Sequence, residues 1–545
     1  MSDCRADLVF YNGRVRTFAA EIPAASALAV RSDRVLAVGS DEDMLALRGP
    51  RTRLVDLKER LVLPGFVDAH IHFAWWALRR QQLDLTAAAT PQDTLMRVHE
   101  RAQQVAPGTW IVGGGFDRNL WPGGAWPTRQ MLDAVAPAHP VMLHSKDYHS
   151  LWVNSLALQL AGVDAATPDP PGGRIVRDAA TGEPTGILSE SAAKLIARAA
   201  PPPTVDQVAA AVREAQPLAW AAGLTGIHEI NDTDEMTALR AFQALRRAGE
   251  LGLRVVQNIP AALLETCARA GIESGFGDEW IRIGGVKFFM DGALGSRTAA
   301  MLRPYEGEPD NRGVAVIEPE EMRERARLAS RAGLSLSVHA IGDRASRAIL
   351  DVLAEVRREE RAAGRRPLRH RIEHVQVLHP DDLPRLAQLD VIASMQPIHA
   401  VSDMAMAEQH WGPERCRWAY AWRSLLATGA RLAFGSDAPV EEFDVLAGIH
   451  AAVTRRRRNG APGADGWQPQ ERISAEEAAR AYTIGAAYAA GEEQIKGTLA
   501  SGKLADLVVL SHDILSCPAE EILSARVEMT VVGGQIRYGD DSAGG

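Results

Sequence analysis

Two histidines separated by one residue end the apolar run LVLPGFVDAHIHF, and on a strand the alternation of side chains puts His70 and His72 on the same face. Two imidazoles converging in this way can share a cation. The pair alone is a weak signal and reads more readily as two polar residues at a strand end. Later apolar runs end in further groups of the same kind: IRIGGVKFFMDG sets Lys287 in line with Ile283, Gly285, Phe289 and Asp291, LSLSVHAIGD ends on His339, HRIEHVQ carries His374, and LAFGSDAPV carries Asp437. Each has a local explanation. Lys287 could pair with Asp291, His339 with Asp343 and His374 with Glu373, while Asp437 could cap the following turn. A single site that gathers them all is simpler than this set of separate explanations. His144, His149, His228, His370 and His399 stay unassigned between structural and substrate-facing roles.

Gathering residues so far apart requires elements that open at a common edge. Between residues 61 and 487, short apolar runs alternate with Ala-, Arg- and Glu-rich helical stretches: LSLSVHA precedes DRASRAILDVLAEVRREE, HRIEHVQ precedes DDLPRLAQL, and RLAFGSD precedes FDVLAGIHAAV. This is the signature of βα units on a parallel sheet. The expected fold is α/β, a (β/α)8 TIM-like barrel whose strand C-termini all open at one rim. The rhythm breaks from about residue 80 to 189, where Trp-, Pro- and Gly-rich segments such as GGGFDRNLWPGGAWPTR suggest an insertion over the barrel mouth. Both chain ends read as short strands. Asn12-Gly13 predicts a tight hairpin between Leu8–Tyr11 and Val15–Phe18, and Gly533-Gly534 predicts another near the C-terminus. Neither end has strands enough for its own core, so residues 1–60 and 488–545 are expected to form one composite β-sandwich domain. Arg455 to Arg458 read as a solvated run.

Composition narrows the setting. The 545 residues are 46% hydrophobic and 24% charged, as in a folded globular chain. Sixty basic against sixty-nine acidic residues give a net charge of −9, which offers nucleic acid no electrostatic footprint. The four cysteines are scattered without a CxxC pair, so no disulfide framework or thiolate metal site is expected. With no signal-peptide pattern or membrane span, the expected location is cytoplasmic.

The motifs PGFVDAHIHF, VKFFMDGALGSRTA, SVHAIGDRA, HRIEHVQ and GSDAPV, with GGGFDRNLW, PTRQMLD, KDYHSLWVNSLAL and GTLASGKLADLVVL, run through nearly the whole chain. Together and in this order they resemble the metal-dependent amidohydrolase superfamily, in its amidohydrolase-3 branch, which includes N-substituted formamide deformylase. The resemblance implies that His70, His72 and Asp437 hold one divalent ion, that His339 and His374 hold a second, and that Lys287 bridges them as a carbamate. A Lys ammonium has no lone pair. Burial that lowers its pKa leaves a neutral amine able to take up CO₂ and present two oxygens. The family varies at this position, which leaves one ion or two open. Zinc is the default for imidazole and carboxylate ligands, with manganese, iron and cobalt as alternatives.

The expected function is hydrolysis of a C–N bond in a non-peptide amide, a linear N-substituted one first, by a metal-activated hydroxide, with Asp437 moving the proton from water to the leaving amine. A cyclic amidohydrolase or heterocycle deaminase on the same site is the alternative, and a non-catalytic regulatory protein on a hydrolase scaffold is a rival of another class. Asp117, Trp121, His149 and Arg297 are the candidate substrate contacts. Trp110, Trp121, Trp126 and Trp152 fit an apolar wall and an ordinary core equally well. The expected partner is a small-molecule amide, and pairing into a homodimer through barrel helices is left open.

Overall fold

Eight parallel strands form the barrel: β1 Phe66–Ile71, β2 Leu224–Glu229, β3 Arg254–Pro260, β4 Ile281–Phe289, β5 Leu336–Ala340, β6 Arg371–His374, β7 Ile392–Met395 and β8 Leu432–Phe434. They follow one another around the sheet in chain order, as right-handed βα units require. The ring is fastened beyond β8, where Asp437 N–H donates to His70 O at 2.7 Å and His72 N–H donates to Ala438 O at 2.9 Å. The computed structural model describes residues 5–118, 121, 124–146, 150–170, 173–230 and 232–539.

The strands are covered on both faces, so β1 and β3 are buried at nearly every position, polar side chains included. Helices return the chain along the outside. The helix Asp343–Ala362 buries Ile349, Leu350, Leu353 and Val356 at the three- and four-residue spacing of one helical face. Asp444 caps Val445–Thr454 by accepting from Ala447 N–H at 3.0 Å.

The chain ends contribute two further sheets. Leu8–Tyr11, Ala27–Arg31, Arg34–Gly39 and Arg53–Asp56 make a four-stranded sheet, and a six-stranded sheet joins Arg14–Arg16, Ala24–Ala25 and Leu61–Pro64 to Leu507–Leu510, Val527–Val532 and Gln535–Tyr538. Alternation along Leu8–Tyr11 sends Leu8 and Phe10 into an apolar cluster with Val62, Leu507, Val509 and Val531. Val9 goes to the other side, against Ala27, Ala29 and Met44. Gly533-Gly534 does join an antiparallel hairpin. Asn12-Gly13 does not. Leu8–Tyr11 pairs with Ala27–Arg31 and Arg53–Asp56, while Arg14–Arg16 pairs with Leu61–Pro64 and Ala24–Ala25. The turn, with Asn12 at φ 56°, therefore carries the chain from one sheet to the other.

Trp76–Ala211 is a compact unit of its own. It has a six-stranded mixed sheet in the order Gly173–Arg177, Pro184–Glu190, Ser150–Val153, Val141–Ser145, Ile111–Phe116 and Leu83–Asp84. This unit runs past residue 189 because Ala192 and Ile196 pack into its core with Leu151, Leu158 and Leu188.

Arg455 is not solvated. It is wholly buried, and its guanidinium donates to the carbonyls of Trp467, Tyr420 and Ala419. The carbonyls of a loop and of a chain turn thus replace water around the charge. Cys267, Cys416 and Cys517 are free thiols, and Cys4 lies outside the described residues. Among the described residues no helix is long and apolar enough to cross a membrane.

Candidate metal centre

The rim where β1, β4, β5 and β6 end carries His70, Lys287, His339 and His374. His70, His374 and Asp437 each present a ligand atom, all mutually within 4.8 Å. His72 joins them, with Nε2 3.2 Å from Asp437 Oδ1, while His70 Nε2 lies 3.3 Å from the same oxygen. The His339 ring is 4.5 Å from the His374 ring. The tightest cluster among the described residues thus takes one histidine from each of the two expected ligand groups.

Three of the imidazoles are fixed through a ring nitrogen. His70 Nδ1–H donates to Glu373 Oε2 at 2.6 Å, which leaves Nε2 with its lone pair facing Asp437. His374 Nδ1–H donates to Gln396 Oε1 at 2.9 Å, and His339 Nε2–H to Gly292 O at 3.0 Å. Glu373 is itself held by Arg371, whose guanidinium also reaches Ser394 Oγ, Ala69 O and His228 Nδ1. Outer partners of this kind set tautomer and ring orientation at metal sites. His374 and Asp437 have positive φ, 76° and 61°, so the alternation of β6 breaks at His374. Such backbone strain clusters at functional sites.

The electrostatics suit a cation. Burial opposes charge on His70, but the Asp437 and Glu373 carboxylates outweigh it and raise its pKa. Burial also works against the Asp437 carboxylate, yet His70 and His72 hold its pKa well below the ordinary range. His374 is held well below its ordinary value by burial, then by His339 and His70, and so stays neutral. Burial lowers Lys287 to about 8, with Glu373 and Asp437 opposing the fall. Imidazoles oriented by acceptors, beside an ionised carboxylate and with no thiolate in the set, fit a divalent metal.

The local explanations for these residues give way to other partners. Asp291 accepts from the backbone N–H groups of Ala300, Ile341 and Gly342, and among the described residues no carboxylate lies in ion-pair range of the Lys287 ammonium, which sits 4.7 Å above the Phe289 ring. Asp343 accepts from Leu302 N–H rather than from His339. His370 is structural, accepting from Leu336 N–H at 3.1 Å and facing Glu360 at 3.3 Å.

The candidate substrate contacts fall in different places. Arg297 is exposed and ion-paired with Glu308. In the second unit, Asp117 lines a cavity of about 480 Å³ with Trp126 and Lys146. Trp121 is 3% exposed and stacks on Phe116 with ring centres 5.5 Å apart, so it is core, as is Trp152. His149 lies outside the described residues. Sequence reasoning missed Glu373 as the partner of His70, and it missed Arg371 and Gln396. The signal for the first two was present, since Arg371 and Glu373 are opposite charges at alternate positions of one short strand.

Known proteins match along most of the chain. The amidohydrolase family profile covers residues 53–538. Protein LONG AFTER FAR-RED 3 of Arabidopsis thaliana is 35% identical over 98% of this chain and 92% of its own length. N-substituted formamide deformylase of Arthrobacter pascens is 29% identical over 98% of each. The crystal structure of an uncharacterized metal-dependent hydrolase from Pyrococcus furiosus superposes with a TM-score of 0.78 at 29% identity, covering 93% of this chain and all of that one. With the histidine and carboxylate cluster at the barrel rim, these matches make the chain a metal-dependent hydrolase that belongs to the amidohydrolase family.

Proposed function

We propose that the chain hydrolyses the C–N bond of a linear N-substituted amide, a formamide or short acyl amide, to a carboxylate and an amine. The observation that carries this reading is the set His70, His374 and Asp437, with each imidazole held by an outer acceptor, in a chain similar along its length to a formamide deformylase. His70, His72, His374 and Asp437 would hold the metal, with His339 and Lys287, as a carbamate, available to a second ion. Zinc is the first expectation. A bound divalent ion acidifies water.

The chain's own residues supply the rest. Asp437, whose carboxyl pKa His70 and His72 hold well below the ordinary range, accepts a proton from the attacking water and delivers it to the nitrogen as the C–N bond breaks. Water thus gives its oxygen to the acyl carbon and its hydrogens to the products. Glu373 and Gln396 hold His70 and His374 in place throughout. A complete donor set speaks against a purely regulatory role.

The test is a panel of formamides, acyl amides, lactams and aminoheterocycles, run with metal-free protein and with protein loaded with zinc, manganese or cobalt. The expected result is equimolar carboxylate and amine from linear amides with the loaded protein alone. A ring-opened acid or free ammonia would favour the cyclic or deaminase alternative. No turnover at full metal occupancy would overturn the reading.

A further inference from the structure

Three buried side chains beside the metal centre each leave a hydrogen-bonding atom unused. Gln376, Gln396 and His399 are 4%, 0% and 5% exposed, yet Gln376 Oε1, Gln396 Nε2 and His399 Nε2 have no hydrogen-bond partner among the described residues. Buried polar atoms are nearly always paired, and an exception calls for a water or a ligand. These three belong to one connected patch. The His399 ring stacks on the His374 ring, with centres 6.1 Å apart and 12° between planes, and His399 Nε2 lies 3.7 Å from Asp437 Oδ2. His399 Nδ1 lies 3.5 Å from Gln376 Nε2, and Gln396 Oε1 takes the His374 Nδ1 proton.

The roles follow from these contacts. Gln396 accepts from His374 through its oxygen, so its unused atom, Nε2, is a donor. With Nδ1 facing the Gln376 amide N–H, His399 carries its proton on Nε2 and is a donor, which leaves Gln376 Oε1 as an acceptor. The patch therefore presents two donors and one acceptor, with the His399 donor beside Asp437. A secondary amide carries the complement, a carbonyl oxygen able to accept twice and one N–H.

We propose that Gln376, Gln396 and His399 form the subsite that reads the substrate's amide group, with the carbonyl oxygen accepting from Gln396 and His399 and the N–H donating to Gln376. This rests on the amide-hydrolase reading and narrows its substrate class to amides that keep an N–H. A tertiary amide or an ester leaves Gln376 Oε1 buried and unpaired, and sites built to hydrogen-bond a group reject analogues that lack it.

The experiment compares N-cyclohexylformamide with N-cyclohexyl-N-methylformamide on metal-loaded protein. Wild type should favour the secondary amide in kcat/KM by about 100-fold or more. Gln376→Leu should erase that preference by slowing the secondary amide while its metal content stays at the wild-type level. Gln376→Glu, which keeps an acceptor, should retain it. His399→Phe should slow both amides alike. A preference that survives in Gln376→Leu, or its absence in wild type, overturns the subsite. Calorimetric titration of both formamides separates this from failure of the parent reading. If wild type hydrolyses neither yet binds the secondary amide more tightly, and Gln376→Leu does not, the subsite stands and the amidase reading falls. Equal or absent binding of the pair leaves ordered water as the occupant and overturns the subsite.

Discussion

Glu373 does for His70 what Gln396 does for His374: it takes the Nδ1 proton and so commits Nε2 to the centre. Arg371 keeps Glu373 ionised against burial, which alone would neutralise it. Glu373→Gln should therefore fold but bind metal about 10–100-fold more weakly, measured by chelator competition. Unchanged affinity would remove the orienting role. Lys287 allows a second check, because an amine lowered to about 8 is partly neutral near physiological pH and open to CO₂. Metal uptake by stripped protein should rise with added bicarbonate, and Lys287→Ala should abolish that dependence. The ligand candidates were readable from sequence because each ends an apolar strand. Their partners were not, since Glu373 and His70 are 303 residues apart and only the closed barrel brings them together.

Elements are held to close tolerances where the barrel closes. A Cβ on Gly435, just past β8, would meet the His70 backbone N and lie 2.6 Å from Asp68 Oδ1. Gly435→Ala should cost about 1–3 kcal/mol or more, read from the urea midpoint, and should shift Asp437 enough to weaken metal binding. A second prediction concerns the helix Asp343–Ala362, whose Glu360 faces His370 and Arg357. Burial opposes its ionisation, but those two groups bring its pKa from 4.5 down to about 2. A lowered carboxyl pKa stabilises the fold above the unfolded value, so stability should fall as pH drops from about 4.5 toward 2, and Glu360→Gln should flatten that slope. At this scale the alternation of runs revealed the barrel strands, but Asn12-Gly13 misled. Local turn chemistry favours a hairpin, while the strands on either side find better partners in two different sheets.

In the barrel-bearing unit, the candidate ligands come from β1, β6 and the segment after β8, so a bound dication would tie the first strand to the last. Binding only the folded form stabilises it by about 4 kcal/mol at 1,000 times Kd, and chelation should lower Tm accordingly. The barrel could be read from sequence because its strands are buried on both faces and separated by amphipathic helices. The sheet of the Trp76–Ala211 unit could not, because glycine-rich strands such as IVGGGF carry little strand signal and the sheet mixes parallel with antiparallel pairs. The most direct test of the whole account is anomalous diffraction at the metal edge from crystals of zinc-loaded protein. The account predicts a peak bounded by His70 Nε2, His374 and Asp437. Zinc bound elsewhere with those three side chains unmoved, or no peak at full loading, would contradict it.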